Sequence, residues 1–599
     1  MAIKSSVPSA PTTPTTRGTT DAVTLEILSN RLLSVAEEMG AVLIRTAYST
    51  NIKERRDCST AVFDAQGNMV AQAEHIPMHL GSLLGPVEMT LKKFGRDRLA
   101  PGDMFITNDP YSGGGTHLPD ITVVAPVFVA DTLVGFVTNI AHHADVGGKV
   151  PGSTSGDATS IFQEGTRIPL VRVARGGEVI QDTLDFITLN SRTPTEREGD
   201  LAAQIAANEV ASRRLAEVVA RYGVARYEAA TAALLDYAEA MMRAGIASLP
   251  EGIYSFTDYL DDDGIHLGQP VPIQATVTIR GDTAHVDFSG SSAQVAGPLN
   301  VPLNGTLATV FYCFKALVGP AIPSNHGIYR ALTVTAPEAS IVNCQPPAPV
   351  GQRIDACQRV ADVIFGALAA AVPERVIAAS NSSVTTATFS GVHPSTETFY
   401  VYLETVAGGS GARADADGLS GVQVHMTNTS NLPVEALERE YPLLVERYQL
   451  RTDSGGPGRY RGGLGIQRDI RVLHDGVTFS GLADRQELPP WGLHGGGAGA
   501  AGRFVLRRRD GTETRLTSKV SNVALEKEDL ISVQTPGAGG FGSPHERDVR
   551  LILKDVIEGK VTAAAALEDY GVVLAADGRA VDEVTARHRR AGERGRNEG

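Results

Sequence analysis

At 599 residues the chain is too long for one hydrophobic core, so roughly two to four domains are expected. A net charge of -14 argues against nucleic acid or an anionic membrane as the main partner, and no apolar run reaches the roughly 18–20 residues of a membrane-crossing helix. Four cysteines (Cys58, Cys313, Cys344, Cys357), none in a CxxC pair, make neither a disulfide framework nor a cysteine-type zinc site, and a reducing cytoplasm is the expected setting.

The first 20 residues are rich in Ser, Thr and Pro and lack a basic-then-apolar signal pattern, so they read as a disordered lead-in. From about Val23 to Tyr48, apolar residues at Leu25, Leu28, Leu32, Val35, Met39 and Val42 fall on one helix face. Cys58 to Phe63 and Met69 to Ala73 flank the turn Asp64-Ala65-Gln66-Gly67-Asn68, a hairpin with Asp57 and His75 at its open end. A second hairpin pairs Ile121–Val129 with Leu133–Ile140 across Ala130-Asp131-Thr132, setting Asp120 roughly opposite Ala141 and His142.

Five of the 14 histidines lie between residues 75 and 143, which concentrates metal-binding or acid–base capacity in this stretch. His117, Asp120 and His142 are ligand types that hold a divalent transition metal, and three protein ligands leave a position open for water. Asp57 is a candidate fourth ligand or supporting carboxylate, and His79 a further candidate. Glu164, in the Gly/Ser-rich loop from Pro151 to Gly165, is placed to act as acid or base over the metal, or is a plain loop carboxylate.

Leu201 to Tyr222 reads as a helix ended by Gly223, and a second helix runs to about Leu249, stopped by Pro250-Glu251-Gly252. Strand patterns follow at Val277–Arg280 and Ala284–Phe288, then apolar helices at Thr306–Leu317 and Val360–Val372. Asp261-Asp262-Asp263-Gly264 lacks the spacing of a calcium loop and reads as a turn. From about Phe399 the chain is rich in strands, loops and glycine. The GxGxxG matches at Gly497–Gly502 and Gly537–Gly542 neither follow a buried strand nor open a helix, so they are not read as nucleotide sites.

These signals predict an α+β, multidomain chain of mixed helix and antiparallel sheet, with the metal-bearing hairpin region in the N-terminal domain. The expected division is 1–20 lead-in, 21–250 metal-site domain, 251–398 middle domain, 399–545 β- and Gly-rich domain, 546–580 helical tail and 581–599 disordered end.

Several long motifs carry a family likeness: Glu54-Arg55-Arg56-Asp57-Cys58-Ser59, His75-Ile76-Pro77-Met78-His79-Leu80-Gly81-Ser82, Asn108-Asp109-Pro110-Tyr111 and His117-Leu118-Pro119-Asp120. Later come Asp453-Ser454-Gly455-Gly456-Pro457-Gly458-Arg459, the run Arg461 to Gly465, Thr535-Pro536-Gly537 through Pro544, and Asp569-Tyr570-Gly571-Val572. With them the chain, over about Asp21 to Tyr570, resembles the hydantoinase B family: B subunits of N-methylhydantoinases, the matching half of 5-oxoprolinases, and related carboxylase and lactamase subunits.

The resemblance implies one half of an ATP-dependent enzyme. A hydantoinase A-type ATPase subunit would phosphorylate a cyclic amide oxygen, and this chain would complete the ring opening at Zn²⁺ or Mn²⁺ held by His117, Asp120 and His142, with Asp57 a weaker carry-over. Cys58 stands where many relatives carry a larger apolar residue. Asp57, Asp145 and Glu164 are candidates for moving the proton, and His79 and His143 for orienting the intermediate or binding its phosphate. ATP would then be used through the partner, in an α2β2-like hetero-oligomer. The competing expectations are a ketone carboxylase subunit of the acetone or acetophenone type, and a non-catalytic scaffold for the A subunit; metal analysis separates the last from the others.

Overall fold

The computed structural model describes residues 21–73 and 76–575, together with Arg587 and Arg590. His75, the lead-in and nearly all of the charged end therefore lie outside the described residues. Helices and antiparallel sheets are mixed along the chain, as the α+β reading expects.

The N-terminal part is built on a seven-stranded antiparallel sheet. Its strands are β1 (Cys58–Asp64), β2 (Met69–Ala73), β3 (Met104–Thr107), β4 (Asp120–Val129), β5 (Thr132–His142), β6 (Val171–Arg175) and β7 (Glu178–Val179), in the spatial order β2-β1-β5-β4-β3-β6-β7. Both expected hairpins form, and the second pairs Asp120 directly with His142. β1 lies along the other side of β5, with Cys58 opposite Ala141. Pro126 is tolerated in β4 because β3 pairs only as far as Val124, so beyond it that edge asks for no N–H.

Both faces of this sheet are covered, which is why its strands read as continuous apolar runs rather than an alternation. On one face Val62, Val123 and Val137 join Leu32, Met39 and Leu43 of the helix Ala22–Thr46 and Leu215 of the helix Pro194–Tyr222. On the other, Phe63, Phe105 and Phe136 pack with Ile273, Phe288 and Phe314, residues from beyond position 250. Full burial of each such phenylalanine contributes about 1.5–3 kcal/mol. The long helix Pro194–Tyr222 ends at Gly223, whose φ of 82° suits a residue without a side chain.

Past residue 250 a four-stranded sheet is joined by the helices Leu303–Val318 and Arg353–Leu368. The latter begins seven residues before the expected start at Val360 and ends before Val372. Asp355, Arg359 and Asp362, spaced as one helix face, are buried; Arg359 pairs with Asp258 and Asp484, Asp362 with Arg485, and Asp355 accepts the Val384 N–H, so polar partners replace the apolar stripe that marks a helix. The C-terminal part carries a four-stranded and a five-stranded sheet around one apolar core. The glycine-rich runs there interleave as loops. A Cβ on Gly539 would meet the Trp491 carbonyl oxygen at 1.9 Å, so glycine is required for backbone passing backbone.

Candidate metal centre

Strand parity decides which side chains meet. Cys58, Ile121 and Ala141 point into the core shared with the helices Ala22–Thr46 and Pro194–Tyr222. Asp57, Asp120 and His142, one residue away on each chain, project to the opposite face, toward the helix Arg353–Leu368. The backbone joins them too, since the His142 N–H donates to the Asp57 carbonyl at 3.0 Å. His117 arrives from a tight turn in which the Asp120 N–H donates to the His117 carbonyl, with Asn108 Nδ2 bonded to the Leu118 carbonyl at 2.8 Å.

His117, Asp120 and His142 are all buried, and one ligand atom from each lies within 4.8 Å of the other two. His117 Nε2 is 3.2 Å from Asp120 Oδ1, and the two imidazole centroids are 5.0 Å apart. Both His117 nitrogens and Asp120 Oδ1 lack a hydrogen-bond partner although buried. Native structures rarely leave three buried polar atoms unsatisfied at one point, and a cation would satisfy Asp120 Oδ1 together with one of the His117 nitrogens.

The protonation states fit the same conclusion. Burial, aided by the Arg353 guanidinium, lowers the His117 pKa to about 4. Burial and the neighbouring His117 hold His142 well below the usual imidazole range. Burial pushes the Asp120 carboxyl up, but His117 and Arg353 outweigh it and keep the group well below the usual carboxylate range. The donors are thus two neutral imidazoles and one carboxylate, the forms that ligate a divalent ion. Its other oxygen, Oδ2, accepts from Arg353 Nη2 at 2.8 Å and Thr116 Oγ1 at 3.3 Å, leaving Oδ1 for the ion.

The remaining candidates divide by position. Asp57 and His79 line the same cavity as the trio, a space of about 60 Å³. His79 Nε2 is 3.9 Å from Asp120 Oδ1, while its Nδ1 meets Ser59 Oγ at 2.9 Å. Burial raises the Asp57 carboxyl above its ordinary value, with His79 acting against it. His143, one residue past His142, faces the other way by strand parity and meets Gln204 Oε1 at 2.9 Å; burial brings its pKa to about 4. Asp145 accepts the N–H groups of Gly147 and Gly152 and pairs with Arg192 at 3.0 Å, so it shapes the loop that brings Thr154 to the cavity. Glu164 accepts from the Val350 and Gly351 N–H groups at 3.0 and 2.7 Å, behind the wall made by Gly351 and Arg353. Burial raises its pKa to about 8.

Two cavity residues were not singled out by the sequence reading: Arg55 and Arg353. Arg55 sits inside a family motif, two residues before Asp57. Arg353 reaches Asp120 across 233 positions, and no local spacing announces it.

The class of protein follows from fold and site together: multidomain α+β proteins with a His/Asp/His donor set at the open end of an antiparallel hairpin. Residues 21–544 match the family model described as hydantoinase B/oxoprolinase, and the chain belongs to that family. It is 40% identical over 557 residues to an uncharacterized protein of Methanocaldococcus jannaschii, covering 92% of this chain and 96% of that one. It is 36% identical over 550 residues to 5-oxoprolinase 1 of Arabidopsis thaliana, covering 87% of this chain and 42% of the longer plant protein. The crystal structure of the ATP-dependent caprolactamase from Pseudomonas jessenii superposes with a TM-score of 0.89 at 32% identity, covering 96% of this chain and 100% of that one.

Proposed function

We propose that the chain is the B-type subunit of an ATP-dependent cyclic amidohydrolase, opening a lactam or imide ring whose oxygen a partner ATPase subunit has phosphorylated. The observation that carries this reading is the set of orphaned donor atoms on His117 and Asp120, enclosed beside His142. The relatives add to it: they include a 5-oxoprolinase and an ATP-dependent caprolactamase, the latter with a matching chain called subunit beta.

His117, Asp120 and His142 would hold the ion, Zn²⁺ or Mn²⁺, and Asp57, which lines the same cavity, is the candidate fourth ligand. When bound, a divalent cation supplies Lewis-acid activation of water and of the substrate oxygen. Arg353 keeps Asp120 ionised and turned so that one oxygen faces the cavity. Asp57, with its carboxyl pKa raised by burial, takes the proton of the attacking water and returns it to the ring nitrogen as the C–N bond breaks, which leaves an acyl phosphate that a second water hydrolyses to the carboxylate and inorganic phosphate. His79, fixed by Ser59, orients the activated amide against Asp120. His143, Asp145 and Glu164 act from behind the cavity walls. Prior phosphorylation matters because an unstrained cyclic amide is a poor electrophile.

The test is to co-purify the chain with its ATPase partner and assay hydantoins, 5-oxoproline and caprolactam for ATP-dependent ring opening. His117→Ala is expected to lose metal and turnover together. Metal content and ring opening that both survive this substitution would refute the assignment.

A further inference from the structure

The cavity beside the trio contains a cation without a counter-ion. Among the described residues six arginines are fully buried: Arg55, Arg197, Arg359, Arg468, Arg485 and Arg547. Five of them pair with carboxylates: Arg197 with Asp200, Arg359 with Asp484, Arg468 with Glu404, Arg485 with Asp258 and Asp362, and Arg547 with Asp417 and Asp555. Arg55 is the exception. It is 1% exposed, and among the described residues no carboxylate comes within 4.0 Å of its guanidinium.

Neutral groups fix Arg55 in place. Nη1 donates to Asn51 Oδ1 at 2.8 Å and to the Leu403 carbonyl at 2.7 Å, and Nη2 donates to Thr405 Oγ1 at 2.9 Å. Nε is buried with no acceptor at all. The Asp57 carboxyl feels this charge across the cavity but lies beyond ion-pair distance, so a buried cation bonded only to dipoles remains costly, and an anion entering the cavity relieves that cost. Thr154 makes the same point independently: it is 5% exposed, its hydroxyl has no partner, and it lines the same cavity from a different segment. Thr405, Thr427 and Thr429 add hydroxyls from a third direction. Donors arriving from several sides suit the three oxygens of a tetrahedral oxyanion better than the two coplanar oxygens of a carboxylate.

We propose that Arg55 and the Thr154 hydroxyl form the receptor for the phosphoryl group of the activated amide, beside the metal trio. The assignment rests on the reading of the site as one that receives a phosphorylated substrate. Asn51 sets the spacing between the two halves of the site, since its Nδ2 lies 3.4 Å from His142 Nδ1 while its Oδ1 holds Arg55.

The experiment is calorimetric titration of the full chain, loaded with Mn²⁺, with inorganic phosphate and separately with acetate, metal content being measured on the same samples. Phosphate is expected to bind at least about tenfold more tightly than acetate, and Arg55→Gln to weaken phosphate by about tenfold or more with metal content unchanged. Arg55 also holds the Leu403 carbonyl, so Thr154→Val, which breaks no bond seen in the structure, serves as the second variant and is expected to weaken phosphate several-fold. Phosphate binding unchanged in both variants, acetate binding as tightly as phosphate, or no phosphate binding by the metal-loaded chain would each overturn the proposal. A chain that takes up no metal yet binds phosphate in an Arg55-dependent way would sink the ring-opening reading and support this one.

Discussion

Replacing Asp120 by asparagine tests the centre most sharply, because the two residues have the same shape. Oδ2 of Asp120 accepts a 2.8 Å bond from Arg353, whose side chain is 7% exposed, while Oδ1 has no partner. In Asp120→Asn the Arg353 bond becomes one to a neutral acceptor, a loss of about 1–2 kcal/mol. The guanidinium also keeps its burial and loses the carboxylate it is bonded to, and breaking a buried pair outright costs about 3–5 kcal/mol. A net destabilisation of about 2–4 kcal/mol follows, which for a domain of 150–250 residues lowers Tm by roughly 5–15 °C. The assay is thermal unfolding of the metal-free protein, with metal content by mass spectrometry after reloading. Asp120→Asn is expected to unfold earlier and to retain less than about a tenth of the wild-type metal. Adding Arg353→Met, which removes the stranded cation, is expected to restore much of the Tm but none of the metal. A single mutant within about 2 °C of wild type and fully metallated would refute both roles given to this carboxylate.

Three other outcomes follow from the geometry. His143→Gln loses one buried hydrogen bond, to Gln204, and is expected to cost about 1–2 kcal/mol while leaving metal content unchanged; loss of the ion would place His143 in the centre. His117 and His143 both have folded-state pKa values of about 4 against 6.5 when unfolded, so the unfolded chain binds more protons between those limits. Stability of the metal-free protein is therefore complete above about pH 6.5 and falls as the pH drops toward 4, by up to about 1.4 kcal/mol per pH unit for each histidine; His142, also held low by burial, and His326, lowered to about 4, add to the same window, so urea midpoints should show the His-dependent slope reduced by about a quarter in His143→Gln. Asp57→Asn keeps the volume but cannot carry a proton, so in the two-subunit enzyme ring opening should fall at least about 10²-fold with phosphorylation of the amide preserved, as a single-turnover ADP-formation assay and a ring-product assay together would report.

The grouping of His117, Asp120 and His142 was legible because a hairpin converts sequence spacing into spatial register. Once Ala130-Asp131 is recognised as the turn, counting back along both strands brings Asp120 opposite Ala141, and the one-residue register shift at Val134 moves the pairing on to His142. The same arithmetic, carried one step further as strand parity, explains why His142 and His143 part company. Arg353 was not legible. Its helix hides its pattern because Asp355, Arg359 and Asp362 fill the buried face with charge, and the partners that make this tolerable, Asp484 and Arg485, lie more than 100 residues away. The acidic run at Asp261 does connect two paired strands, Gly252–Leu260 and Val271–Arg280, as a turn should, but local composition did not announce that it is buried, with the Asp261 carboxylate accepting N–H groups of Gln486 and Leu488. Arg55 stood inside a quoted motif, but its lack of a counter-ion is a property only of the folded chain.

The cavity draws its parts unevenly from the chain. Every proposed ligand lies between residues 57 and 142, on one sheet, whereas much of the enclosing wall comes from Gly351 to Ile354 and from Val384 to Leu482. During synthesis the ligand-bearing sheet emerges first, and the segments that seal it follow several hundred residues later. An ion can thus be taken up by a half-made chain with an open centre and then be shut in by the part that folds last. Selection of the metal and its retention become separate events in time: the first is set by the hairpin and the ions around it, the second by completion of the C-terminal walls, after which exchange requires the finished protein to open.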